Sequence, residues 1–250
     1  MAKQFSIRTA VILAGGKGER LRQAVSDRPK VLATVAGRPF LTHLFDQLSE
    51  AGIRRVVVCT GYRREEVERA MGDHYGPLEL EYSREPVPLD TGGALRLALE
   101  RLDTDPVLAM NGDSYCDLDF TALADWHRRK RAGATIALVH KSSVERFGSI
   151  GWYEDGRIAQ FVEKACQGSG WINAGIYLLS RSVVEGIGAG EKKSLERDCF
   201  PAMAKQGVLF AYPGGKRFID IGTPESYATA DEFFRRQELS SEGEERGALI

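Results

Sequence analysis

The apolar run Thr9-Ala-Val-Ile-Leu13 breaks at once into Ala14-Gly-Gly-Lys-Gly18, and this junction limits what the chain can fold into more than any other stretch. A short run rich in β-branched residues suits a strand buried on both faces, and such strands belong to sheets covered by helices. Gly15, Gly16 and Gly18 lack the Cβ atoms that would keep a ligand away from the backbone amides. Arg20, Arg22 and Lys30 add cationic charge close by, which suits a polyphosphate. Two commoner phosphate loops do not fit. Leu21 stands where a dinucleotide fingerprint needs a third small residue, and Gly18 follows Gly16-Lys17 where a Walker loop has Ser or Thr.

The pattern beyond this turn alternates between helical and strand periods. Leu41, Leu44, Phe45 and Leu48 recur at helical spacing up to Gly52, and Arg55-Val-Val-Val-Cys-Thr60 reads as a second buried strand. A short helix from Glu65 to Met71 and a strand Leu78–Tyr82 follow. Thr91-Gly-Gly-Ala opens a helix to about Leu102, and the strand Pro106–Met110 ends in Asn111-Gly-Asp113. Such βαβ repetition predicts a parallel sheet whose ligands bind beyond the carboxyl ends of its strands. After a helix over Phe120–Arg131 and a strand over Ala134–Val139 the pattern turns antiparallel. Ile150–Val162 alternates about an Asp155-Gly156 turn, and Trp171–Leu179 is another strand. Ser182–Ile187 is a short helix, Phe218–Ile221 a short strand, and Thr223-Pro224 starts a last helix.

Together these elements predict a three-layer α/β fold with a mixed, mainly parallel central sheet and a small antiparallel lobe over about 140–200. A single domain over 1–239 is expected, with a frayed tail over 240–250. The 250 residues carry a formal net charge of -1, so no global basic field favours nucleic acid, and Arg128-Arg-Lys-Arg131 reads as a solvated helix face. No apolar run approaches the roughly 20 residues that span a bilayer, and the first residues lack a signal-peptide core, which predicts a soluble cytoplasmic protein with no membrane partner. Cys59, Cys116, Cys166 and Cys199 are scattered and form no metal-ligand spacing, so buried thiols are expected. Neither composition nor pattern decides between a monomer and a homo-oligomer.

Asp113 and Asp220 stand at strand ends, where paired carboxylates beside a phosphate-binding turn make a sensible site for a hard divalent cation. The bland alternative is that Asp113 ends a strand and Asp220 caps a helix. The order of motifs is distinctive. Leu13-Ala-Gly-Gly-Lys-Gly-Glu-Arg-Leu21, Arg28-Pro-Lys-Val-Leu32, Leu89-Asp-Thr-Gly-Gly-Ala94, Asn111-Gly-Asp113, Phe161-Val-Glu-Lys164, Asn173-Ala-Gly-Ile-Tyr177 and Phe218-Ile-Asp-Ile-Gly-Thr-Pro-Glu225 resemble the sugar-1-phosphate nucleotidyltransferases. Gly37-Arg-Pro-Phe-Leu41 and Ser194-Leu-Glu-Arg-Asp198 look most like the branch that guanylylates D-glycero-α-D-manno-heptose 1-phosphate. Val31, Glu19 and Asp90 depart from the usual family residues.

The resemblance implies attack of a sugar 1-phosphate on the α-phosphorus of a nucleoside triphosphate, with pyrophosphate leaving and the nucleotide sugar feeding surface polysaccharide synthesis. It implies Arg20, Lys30, Asp113 and Asp220 as catalytic residues, with Mg²⁺ on Asp113 and Asp220. Nucleotide contacts are expected from Leu13, Ala14, Gly15, Gly16, Gly18, Arg20, Lys30, Glu85, Gly92, Gly93 and Asp113. Sugar phosphate contacts are expected from Gly148, Glu163, Lys164, Asn173 and Glu196. The Glu85 carboxylate can accept from both the ring N–H and the exocyclic amine of guanine, which favours GTP. Mannose 1-phosphate guanylyl transfer, uridylyl transfer to an N-acetylmuramate or hexose 1-phosphate, and a non-catalytic nucleotide-sugar sensor are the rival readings.

Overall fold

Short β-branched runs and helix-period segments in alternation fold here as strands and crossover helices, in a computed structural model that describes residues 7–162 and 168–235. The strands are β1 (Thr9–Leu13), β2 (Thr34–Val35), β3 (Arg38–Pro39), β4 (Arg55–Thr60), β5 (His74–Tyr75), β6 (Leu78–Arg84) and β7 (Val107–Asn111). They continue with β8 (Ser114–Cys116), β9 (Ala134–Lys141), β10 (Ser149–Trp152), β11 (Ile158–Val162), β12 (Gly170–Leu179), β13 (Leu209–Gly215) and β14 (Phe218–Asp220). The helices are α1 (Phe40–Glu50), α2 (Arg64–Met71), α3 (Asp90–Ala98), α4 (Phe120–Lys130), α5 (Arg181–Glu185), α6 (Phe200–Lys205) and α7 (Pro224–Ala228).

One eight-stranded sheet runs β13-β9-β12-β7-β1-β4-β6-β5. The pairs β7–β1, β1–β4, β4–β6 and β13–β9 are parallel, while β12 runs against both of its neighbours and β5 against β6. Alternate side chains feed two separate cores. Ala10, Ile12, Val56 and Val58 pack with α1 residues Leu41, Leu44 and Phe45 on one face. Val11, Val57 and Ala109 pack with Ala94, Leu95 and Ala98 of α3 on the other. Burial on both faces is why these strands read as continuous apolar runs, and it gives the three layers expected.

Besides the short β2–β3 pair, two antiparallel pairs flank the sheet: the β10–β11 hairpin, turned at Asp155-Gly156 as its sequence predicts, and β8–β14. In the second pair Asp220 stands opposite Ser114, next to Asp113. β13 carries no clear strand signal, because Pro213, Gly214 and Gly215 read as a turn. It holds the sheet edge, where a missing ladder N–H is tolerated.

Candidate active site

The chain leaving β1 is held across the carboxyl ends of three adjacent parallel strands. Ala14 N–H donates to the Cys59 carbonyl at 2.9 Å, Tyr62 N–H to the Gly15 carbonyl at 3.2 Å, and Gly112 N–H to the Leu13 carbonyl at 2.9 Å. A Cβ on Gly15 would lie 2.1 Å from Glu85 Oε1, so a larger residue there would displace the Glu85 carboxylate. Gly18 has φ +61°, and a Cβ on it would meet Lys30 Cβ at 2.9 Å. A Cβ on Gly16 would meet nothing within 4 Å, so the turn is open at that residue.

Lys30 begins a short 3-10 turn, Lys30–Leu32, anchored by buried Val31 and Leu32. Its Nζ donates to Asp113 Oδ2 at 2.5 Å, and Ser114 Oγ donates to Asp113 Oδ1 at 3.1 Å. Asp220 reaches the same place through the β8–β14 pair, since Ile221 N–H donates to the Asp113 carbonyl at 2.9 Å. A Cβ on Gly222 would lie 2.6 Å from Asp220 Oδ1, 3.5 Å from Lys30 Nζ and 3.6 Å from Arg20 Nη2. The absence of that Cβ leaves a space ringed by one carboxylate and two cations. Asp220 Oδ1 also accepts from Gly222 N–H at 2.9 Å, and its Oδ2 lies 3.5 Å from Arg146.

Burial alone would raise the Asp113 carboxyl, but the charge and hydrogen bond of Lys30, with Ser114 and Arg20 behind them, outweigh it and hold the group below its ordinary value. Asp113 is therefore an anion at neutral pH while 38% of its side chain still faces solvent. Glu85 shifts the other way. Burial raises its carboxyl despite the hydrogen bond from Leu89 N–H to Oε2 at 2.8 Å, which leaves Oε1 facing Gly15.

The structure places other expected residues less directly. Gly92 and Gly93 both donate N–H to the Lys193 carbonyl, at 2.7 and 3.1 Å. A Cβ on Gly93 would be 2.3 Å from the Glu191 carbonyl, so these glycines seat the 191–193 loop on α3 and their amides are engaged. Asn173 begins an irregular stretch of β12, passing through Gly175 at φ +74°, and its side chain bonds Gly175 N–H at 2.8 Å and Tyr177 Oη at 2.9 Å. Glu196 sits in a π-helical turn, Leu195–Cys199, and accepts from Tyr177 Oη at 3.0 Å, Thr91 Oγ1 at 2.7 Å and Ser194 Oγ at 3.0 Å. Glu196 thereby ties the start of α3 to β12. Gly148, buried at φ +75°, precedes β10. Glu163 and Lys164 lie outside the described residues. Arg146, Thr91, Tyr177 and Ser194 were not singled out in the sequence: Arg146 lies outside the noted motifs, and the other three fall inside them but carry no local signal for their partners.

This arrangement suits polyphosphate chemistry: an open glycine turn, two cations and two carboxylates at the carboxyl end of a parallel sheet. A family model described as nucleotidyl transferase matches residues 9–237. The chain is 35% identical over 221 residues to D-glycero-alpha-D-manno-heptose 1-phosphate guanylyltransferase of Aneurinibacillus thermoaerophilus, covering 88% of this chain and 96% of that protein. It is 37% identical to mannose-1-phosphate guanylyltransferase of Mycobacterium tuberculosis, covering 87% of this chain but 62% of that longer protein. Among solved structures, HddC from Yersinia pseudotuberculosis, complexed with GMP-PN, superposes with a TM-score of 0.83 at 33% identity, over 91% of this chain and 100% of that one. Motif order, site geometry and these similarities agree that the chain belongs to the nucleotidyl transferase family.

Proposed function

We propose that this enzyme transfers GMP from GTP to a sugar 1-phosphate, D-glycero-α-D-manno-heptose 1-phosphate, giving a nucleotide sugar for surface polysaccharide synthesis and releasing pyrophosphate. The observation that carries the reaction type is the gathering of Lys30, Arg20 and Asp220 around Gly222, with Asp113 bonded to Lys30. Two anions that repel one another can be aligned there. The heptose is supported by the match to a heptose 1-phosphate guanylyltransferase over 96% of its length, where the mannose relative is matched over 62%. The free thiols of Cys59, Cys116 and Cys199 favour a cytoplasmic setting.

In this reading the Gly15–Gly18 turn receives the triphosphate, and Lys30 and Arg20 neutralise its oxygens, the guanidinium through paired bonds and the ammonium as a point charge. The sugar phosphate is already ionised at neutral pH and needs no general base. Glu85 Oε1, beside Gly15, is the acceptor available to a guanine edge. Asp113 and Asp220 fit Mg²⁺, because both are hard oxygen donors, one in the turn before β8 and one at the end of its partner β14, beside the space at Gly222. The described residues offer no cluster of three or more His, Cys, Asp or Glu, so phosphates and water would complete the shell. Bound there, the cation would neutralise charge developing on the transferred phosphoryl group. Lys30, the present partner of Asp113, would then turn toward phosphate oxygens.

Direct transfer makes a simple test. Pyrophosphate should appear only when GTP and the sugar phosphate are both present, and GDP-sugar should form in equal amount by mass spectrometry. Pyrophosphate released from GTP alone at the same rate would overturn the reading.

A further inference from the structure

On the side of Asp220 away from the glycine turn lies a second cleft of about 600 Å³, large enough for a small organic ligand. Asp220 divides the two: Oδ1 faces Lys30 and Arg20 across Gly222, whereas Oδ2 faces Arg146, which lines the cleft. Cations gather on one wall because β9 and β13 end side by side, with Gly215 opposite Val139, so that Lys216 and Lys141 emerge together. Lys141 Nζ has a phenylalanine ring at 5.6 Å and a single backbone carbonyl, that of Phe218, at 3.4 Å. Lys216 is exposed, and neither lysine has a carboxylate partner among the described residues. Arg146 is held loosely, by Asp220 at 3.5 Å, Thr223 at 3.2 Å and Ser226 at 3.4 Å. Glu225 and Glu232 sit on the other wall, carried by α7 and the following helix.

Lys141 and Lys216 line one cleft without a carboxylate hydrogen-bonded to either among the described residues, and a dianion would supply their counter-charge. We propose that this cleft is an anion-binding site for a phosphate ester, whose phosphoryl oxygens are taken by Lys141, Lys216 and Arg146 and whose ring lies against Phe147 and Phe218. The site stands independently of which base or sugar the catalytic centre selects. It also touches catalysis. Arg146 drawn toward a phosphoryl group leaves Asp220 Oδ2 without its cation, so occupancy of the cleft and the state of Asp220 are coupled.

Lysine acylation of the full chain, read residue by residue by mass spectrometry, tests the site. With inorganic phosphate, mannose 1-phosphate or GTP added at about 10 mM, Lys141 and Lys216 should be protected severalfold while exposed Lys192 is not. Protection by inorganic phosphate as well as by the sugar phosphate assigns recognition to the phosphoryl group alone, and protection by the sugar phosphate only adds the ring to it. The double variant Lys141→Ala/Lys216→Ala changes side chains with little packing and should weaken phosphate binding by about tenfold in calorimetry, with Lys141→Arg/Lys216→Arg restoring it. Protection confined to Lys30, or equal affinity in the double alanine variant, would overturn the proposal.

Discussion

Asp113 and Asp220 are the residues on which the proposed chemistry turns, because Asp113 sits in the turn just before β8, Asp220 ends β14, and the β8–β14 pair brings them together. Replacing either with alanine is expected to lower kcat by at least about 100-fold, roughly 3 kcal/mol of transition-state stabilisation, with the melting temperature little changed. A variant keeping more than about a tenth of the rate at saturating magnesium would remove that residue from the site. Glu85→Gln is expected to lower kcat/KM for GTP by one to two orders of magnitude while UTP changes less. An amide donor facing the donors of guanine leaves desolvated groups unpaired, at about 1–3 kcal/mol. Comparing the two efficiencies in wild type and variant decides it, and an unchanged ratio would mean that Glu85 does not read the base. Arg20, Lys30 and both aspartates were legible in the sequence because they punctuate apolar runs or follow glycines. The bonds from Leu89 to Glu85 and from Arg146 to Asp220 were not, since the second joins residues 74 apart in the chain and neither has a local pattern.

The glycine turn, α3 and the π-helical turn around Glu196 work as one assembly. Gly93 makes the tightest approach to backbone: alanine there would press on the Glu191 carbonyl, and Gly93→Ala is expected to lower stability by about 1–3 kcal/mol in urea unfolding. Unaltered stability would show that the 191–193 loop yields freely. Glu196→Ala should cost a similar amount, because Thr91, Ser194 and Tyr177 lose their shared acceptor. It should also raise the KM for the sugar phosphate through the altered stretch at Asn173, whereas a KM unchanged in a folded variant would confine Glu196 to a structural role. The strands and crossover helices near this assembly were legible from period alone. The π-helical turn was not, because Leu195-Glu-Arg-Asp-Cys199 has no apolar repeat, and neither was β13, whose Pro213 and glycines imitate a loop at the sheet edge.

Across the whole molecule the apolar alternation decides the layers, and the two cores hold the site without charged groups of their own. His127 is a buried polar exception, hydrogen-bonded to Thr135 Oγ1 at 2.8 Å, with burial driving its imidazole down to about 4. The unfolded chain takes up that proton first, near the ordinary 6.5, so stability is full above about 6.5 and is lost progressively as pH falls toward 4. The loss amounts to roughly 3 kcal/mol, and His127→Gln should flatten the slope of unfolding free energy between those pH values. An identical slope in the variant would assign the effect to other groups. The mainly parallel sheet was legible, and so was the place of the candidate site, because a parallel sheet puts its ligands at the carboxyl ends of its strands. The choice of sugar was less so, because Glu163 and Lys164 lie outside the described residues and Asn173 bonds within its own strand. The most direct measurement is therefore kcat/KM for pyrophosphate release with GTP, UTP, CTP and ATP, each paired with D-glycero-α-D-manno-heptose 1-phosphate, mannose 1-phosphate and glucose 1-phosphate. GTP with the heptose 1-phosphate should exceed every other pair by at least about tenfold. A higher value for UTP, or for GTP with mannose 1-phosphate, would contradict the assignment.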